Sequence, residues 1–320
     1  IKLCFLLLKG VRARLNKRTF SKCTGLKSID IPKGVTSIGR HAFQSCFNLV
    51  SVAMPNSLEF IGLEAFKFCS SINNVEIPDS VTTIEDSAFS DCSGLTTVTI
   101  GKKVKSLWLT FTNCTNLTTV ILNAINCTSA GDNNAVYGVY GIAFGNCPKV
   151  KNIVIGNDVQ TIPQYAFYGL EKITTVTIPN SVTSIGEWAF SGCNGLTNIT
   201  ISQAVTSIGQ AAFSGCSSLT SIVIPDEVKN IENWTFLGCS SLTSIAIPDE
   251  VKTIGYMAFG ECRNLTLTIP KSVTDIKEYA FSETQNVKIH YQGSASQWLN
   301  IRKGSNWDYY AINLIIIYEE

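Results

Sequence analysis

Histidine is almost absent from this chain: His41 and His290 are the only two, and neither has a neighbouring Ser or Cys arranged as a nucleophile with its base. A structural zinc site needs close Cys pairs, or Cys with His, and the nearest spacing among the 12 cysteines is 13 residues. Long apolar runs are missing too. "IKLCFLLLKGVRAR" is too short to span a bilayer, which takes about 20 apolar residues, and its charges follow the run instead of preceding it as in a signal peptide. The chain opens on Ile, so any export signal would lie upstream of it. Charge is scarce, at 15% of residues, and balanced at 25 basic against 24 acidic, so no net field recruits nucleic acid or an anionic membrane. These absences argue against an enzyme, a metal centre, a cofactor site, nucleic-acid binding and direct membrane insertion.

What is present is a repeat. A Phe recurs at positions 20, 43, 66, 89, 111, 144, 167, 190, 213, 236, 259 and 281, at intervals of 22 or 23 with a single interval of 33. Each unit carries apolar residues at fixed offsets, as in Leu95, Val98 and Ile100, or Leu219, Ile222 and Ile224. The alternation in "VTI" and "IVI", rich in β-branched residues, predicts a short strand with one face buried. A Pro often follows (Pro55, Pro78, Pro179, Pro225), where its missing N–H ends the ladder. A Val, an Ile, the "AF" pair and a Cys complete the unit, and this stretch is expected to be a loose turn and a brief helical or 3₁₀ segment. One unit cannot bury its own apolar side, so neighbours must stack. Leu3, Leu6 and Leu8 keep the offsets of Leu49, Val52 and Met54, which makes the N-terminus an eroded first repeat.

The phrase "LTSIVIPDEVKNIENWTFLGCSS" and its siblings resemble the BspA-like leucine-rich repeats, a 23-residue class also named after a Treponema protein. The resemblance spans about residues 1–290. It implies an α/β-type repeat solenoid, with a parallel β-sheet on the concave face and short helical or 3₁₀ turns on the convex face. It also implies a secreted or cell-surface protein that adheres to host proteins or to other cells. About twelve units are expected over 1–290, with an insertion at 123–141 and a C-terminal cap over 291–320, in which "INLIIIY" adds a final strand.

Ten cysteines share one position, three residues after the Phe, where Leu170 and Thr284 also stand. A small buried hydrophobe beside a bulky Phe explains them without chemistry. Cys127 lies outside that position and is the thiol expected to be exposed enough to react.

Three surfaces remain for a partner. Thr97, Thr99, Thr175 and Thr177 stand between buried strand positions and offer hydroxyls on the concave face. A row two residues before the Phe, comprising Tyr165, Trp188, Ala211, Trp234, Met257 and Tyr279, places aromatics in register on the opposite face, either as a stacking ladder for a sugar chain or protein or as packing. The insertion carries Tyr137 and Tyr140 among glycines, and insertions in repeat stacks often touch partners. The leading expectation is a non-catalytic binding or adhesion protein whose partner is a protein or glycan of a host or neighbouring cell. The alternative is a structural spacer or stalk presenting other domains.

Overall fold

The computed structural model describes residues 13–131 and 142–319. They fall into two compact units, Ile1–Val159 with Pro163–Ala166, and Gln160–Ile162 with Phe167–Glu320. Every strand pairing in both is parallel.

In the first unit a repeat contributes short strands to two separate ladders, the second strand shrinking to a single bridge at Ser106 and Ser129. One ladder joins Asn74–Glu76, Thr97–Ile100, Thr119–Leu122 and Asn152–Ile155, and Ser28–Asp30 pairs with Ser51–Ala53 in the corresponding positions. The other joins Arg14–Leu15, Ser37–Ile38, Phe60–Ile61 and Thr83–Ile84. Because the side-chain period in a strand is two, a register equal to the repeat keeps like over like. Val75 pairs with Val98, and Val98 with Val120, all three buried, while Asn74, Thr97 and Thr119 stand on the other side. Where Pro follows the strand it supplies no donor, but its carbonyl accepts the N–H three residues on, as Pro78 does from Val81 at 3.1 Å.

Val120 pairs with Ile153, 33 residues on, so the long interval leaves the register intact. In regular repeats the Ala before the Phe donates to the residue three before it, as Ala42 does to Gly39 at 3.1 Å. Ala143 donates instead to Ala130, at 2.7 Å. Ala130 and Ala143 thus make the contact that Gly39 and Ala42 make in a regular repeat, and the expected insertion at 123–141 lies partly outside the described residues.

The second unit repeats the plan. Thr161–Ile162, Ser184–Ile185 and Ser207–Ile208 form one ladder, and Asn230–Ile231, Thr253–Ile254, Asp275–Ile276 and Arg302–Lys303 another. Thr175–Thr177 pairs with Asn198–Thr200, and Ser244–Ala246, Thr266–Ile269, Lys288–Tyr291 and Ile315–Tyr318 form a four-stranded sheet.

The expected helical segment before the Cys is a turn in both units. Two residues before the Phe, the backbone is left-handed whatever the side chain: Arg18, His41, Glu64, Ser87 and Leu109 in the first unit, and Trp188, Ala211, Trp234, Met257 and Tyr279 in the second, have φ between 49° and 58°. Two residues after the Phe it is left-handed again, at Ser45 (φ 61°) and Gly215 (φ 72°) for example. A right-handed helix cannot pass through such residues. The alternation turns every other N–H along the stack, so Phe43 donates to Ala65 at 2.7 Å and Ser45 to Lys67 at 2.9 Å. Hydrogen bonds to the next repeat thus replace those a helix would make within itself. Among the described residues the one α-helix is Ala295–Asn300, where Ser294 and Gln297 form a reciprocal capping box.

The marker rings stack on one another within each unit. Phe43 and Phe66 are 4.9 Å apart at 6°, and Phe190 and Phe213 are 5.6 Å apart at 6°. In the second unit Trp307 continues the ladder, edge-on to Phe281 at 5.9 Å, and Trp298 lies buried against Tyr291 and Trp307.

Candidate functional site

The cysteines are structural in a way that their volume alone did not reveal. Each buried thiol at the repeat position donates to the carbonyl of the Phe in the preceding repeat: Cys69 to Phe43 at 3.1 Å, Cys92 to Phe66 at 3.3 Å, Cys216 to Phe190 at 3.2 Å and Cys262 to Phe236 at 3.4 Å. Thr284 keeps a donor at that position and gives its hydroxyl to Phe281 at 2.9 Å, within its own repeat. Burial pushes the Cys92, Cys216 and Cys262 thiols up to about 12, so they remain protonated donors. The expectation for Cys127 fails. Its side chain is fully buried, its thiol is pushed up to about 12 by burial, and Cys23, half-buried, is more accessible. Cys4 and the expected first-repeat residues Leu3, Leu6 and Leu8 lie outside the described residues.

The Thr positions fall where the strand alternation puts them. Thr97 and Thr99 are half-exposed in the first unit, Thr97 beside Asn74 and Thr119. Thr175 and Thr177 are exposed in the second, beside Asn198 and Thr200. A different set of Thr has a structural task. Thr96, Thr197, Thr220 and Thr243 each donate a hydroxyl to a carbonyl of the preceding repeat, at 3.0–3.3 Å. Tyr137 and Tyr140 lie outside the described residues.

The rings that meet in register differ in membership from the expected row. Tyr165 is buried in the first unit, at 4% exposure, and Ala211 is buried as well. In the second unit, Tyr168 and Trp188 are 6.4 Å apart, Trp188 and Trp234 6.3 Å, Trp234 and Tyr256 5.5 Å, Tyr256 and Tyr279 5.7 Å, and Tyr279 and Tyr309 5.7 Å. Trp188 and Trp234 are two repeats apart, a gap of about 10 Å at normal strand spacing. They meet because only the methyl of Ala211 lies between them. Tyr256, not Met257, carries the row onward. Trp188, Trp234, Tyr256 and Tyr279 are each half-buried, and Tyr309 and Tyr310 are exposed. The T-shaped and tilted contacts bury ring edges against neighbours while leaving apolar surface open, a geometry that suits a contact surface. Tyr168 and Tyr256 fall outside the one sequence position that defined the row, which is why periodicity missed them.

No helix among the described residues is long and apolar enough to cross a membrane.

The sequence profile described as the BspA-type leucine-rich repeat region matches residues 13–135, 138–266 and 206–298. A leucine-rich cell surface protein of Faecalibacterium prausnitzii A2-165 is 28% identical over 91% of this chain and 86% of its own, with a TM-score of 0.44. A leucine-rich repeat protein of Bacteroides ovatus is 25% identical over 87% of each chain, with a TM-score of 0.41. The pneumococcal vaccine antigen PcpA shares the fold, with a TM-score of 0.52 and 19% identity over 92% of this chain and 79% of its own. No curated protein matches the chain. With a profile of that repeat matching most of its length, this chain belongs to the BspA-type leucine-rich repeat family.

Proposed function

We propose that this is a non-catalytic binding or adhesion protein, acting at a cell surface or after secretion, and that it holds a protein or glycan of a host or neighbouring cell through the aromatic row of its second unit. The observation that carries the reading is the unbroken run Trp188, Trp234, Tyr256, Tyr279 and Tyr309, whose successive rings are 5.5–6.3 Å apart. Amphipathic rings held in fixed positions present contact area without losing much side-chain freedom on binding, and Trp and Tyr dominate interface hot spots. The family resemblance and the cell-surface naming of the Faecalibacterium relative support the location.

The test is binding of the purified chain to intact cells, cell-surface extracts and a glycan array. Trp188→Ala with Trp234→Ala should abolish the signal while the protein remains folded. Loss instead on Tyr137→Ala with Tyr140→Ala, or on Thr97, Thr99, Thr175 and Thr177 to Ala, would move the site to the insertion or the strand face. Absence of any binding would favour the spacer reading.

A further inference from the structure

The net charge of +1 conceals a segregation. Residues 1–58 hold ten of the 25 basic residues but only one of the 24 acidic ones, Asp30. Arg14, Lys17, Arg18 and Lys22 stand exposed on the first described turn, and Arg40 is exposed on the next. The stacking brings them together: Arg18 donates its N–H to the carbonyl of Arg40 at 3.0 Å, Lys22 donates to Gln44 at 2.7 Å, and Arg14 pairs with Ser37.

Among the described residues no carboxylate is paired with this patch. None of these five cations takes part in an ion pair among the described residues, and residues 1–12 contain no acid that could supply one. The nearest carboxylate along the turns, Glu64, is already held by Lys67 at 3.1 Å and Gln44 at 2.8 Å and faces His41 at 3.2 Å. Arg40 donates its Nε–H to Nε2 of His41 at 2.9 Å, which requires an unprotonated Nε2. Burial lowers the His41 pKa, with Arg40, Arg18 and Lys17 adding to the effect against the pull of Glu64.

The arrangement selects among anionic partners. Lys27 and Lys33, also exposed, flank the patch on loops, so the cations occupy more than one side of the stack. A flexible chain can follow them, whereas a planar bilayer meets one side. Between Arg14 and Arg40 the one aromatic residue, Phe20, is buried, and the rest of the second turn adds a single exposed ring, Phe47, short of the row of rings along which successive bases stack. Three guanidinium forks are suited to sulfate and carboxylate oxygens. We propose that the surface formed by Arg14, Lys17, Arg18, Lys22 and Arg40 binds a sulfated polysaccharide, independently of the aromatic row.

The test uses the full 320-residue chain on immobilised heparin over a salt series, with single-stranded DNA and phosphatidylserine vesicles as competing probes. The wild type should be retained at low salt and released as salt rises. Joint replacement of Arg14, Lys17, Arg18 and Lys22 by Gln should weaken binding by more than about tenfold and flatten the salt dependence. The charge-matched replacement of Lys103, Lys105, Lys149 and Lys151 by Gln, exposed in the same unit three or more repeats along the stack, should leave binding within about twofold, because at about 4.8 Å per repeat they lie beyond a Debye length of about 10 Å. Heparin should also protect Lys17 and Lys22 of the unaltered protein from acetylation, a readout that needs no variant to fold. Trp188→Ala with Trp234→Ala should leave heparin binding unchanged, which separates this surface from the one proposed for adhesion. Equal loss in both charge variants, absence of protection, or tighter binding to DNA or vesicles than to heparin would overturn the proposal.

Discussion

The carbonyl oxygen of Phe43 accepts two donors: the backbone N–H of Cys46 at 3.2 Å and the thiol of Cys69, one repeat further on, at 3.1 Å. The same double acceptance recurs at Phe190, from the N–H of Cys193 at 3.1 Å and the thiol of Cys216 at 3.2 Å. A cysteine here fills the space beside a ring and ties one repeat to the one before it.

Replacing Cys216 separates those two roles. Cys216→Ala removes both the donor and the sulfur volume and should cost about 1–2 kcal/mol in urea unfolding. Cys216→Ser keeps a donor and should cost less, as Thr284 shows that a hydroxyl is accepted at this position. Equal losses for Ser and Ala, whose side chains are of similar size, would mean that the thiol acts by volume alone.

Alkaline pH should destabilise the protein more steeply than a thiol-free stack. Cys92, Cys127, Cys216 and Cys262 are pushed up to about 12 when folded, against about 8.5 for an unfolded thiol. Below about pH 8.5 both states hold the proton and the stability is fully present. Above it the unfolded state releases protons that the native state keeps, so stability falls by about 1.4 kcal/mol per pH unit per thiol until the native thiols titrate. The urea midpoint should drop between about pH 8 and about pH 10, and Cys216→Ser should lessen the slope.

At Gly215, φ is 72° and an added Cβ would lie 3.6 Å from Gly192, an ordinary contact. Gly215→Ala should therefore cost only the left-handed penalty, about 1 kcal/mol in calorimetry. Ser45→Gly, at φ 61°, should recover a similar amount. An unchanged melting temperature in both would show that the turn relaxes away from its left-handed geometry.

The insertion should be dispensable for folding. Ala143 already donates to Ala130 as Ala42 does to Gly39, so replacing residues 131–142 with Asn-Gly restores the 23-residue interval and puts Gly at the left-handed position. The melting temperature should shift by no more than a few degrees, since changing loop length alters closure entropy only slowly. Loss of cooperative unfolding would show that the extra residues carry part of the core.

Trp298 is 3% exposed and lies against Tyr291 at 5.2 Å and Trp307 at 6.1 Å. Trp298→Ala should cost about 3–5 kcal/mol and, by loosening Trp307 over Phe281, expose the last ring of the ladder to dye binding. Trp307→Ala, at a half-buried position, should cost less.

Much of this architecture was legible in the chain. The recurring Phe gave the period, and the alternation in stretches such as Thr97–Ile100 identified the inward residues, because burial on one face of a strand imposes a period of two on its own sequence. That Phe and Cys pack together also followed from their constant offset. The second strand ladder did not, since a two-residue pair such as Ser37–Ile38 is too short to show any alternation. Nor did the left-handed turns. Arg, His, Glu, Ser, Leu, Trp, Ala, Met and Tyr all occupy one such position, so residue type carries no signal there, and the conformation is imposed by closing each turn onto the next. The membership of the aromatic row was decided the same way, by which rings lean across Ala211 or reach the row from a neighbouring position. The carbonyl partner of each thiol, the burial of Cys127 and the convergence of Arg18 with Arg40 are relations between residues about one repeat apart. Local sequence records which side chains are apolar or charged, but stacking alone determines which of them meet.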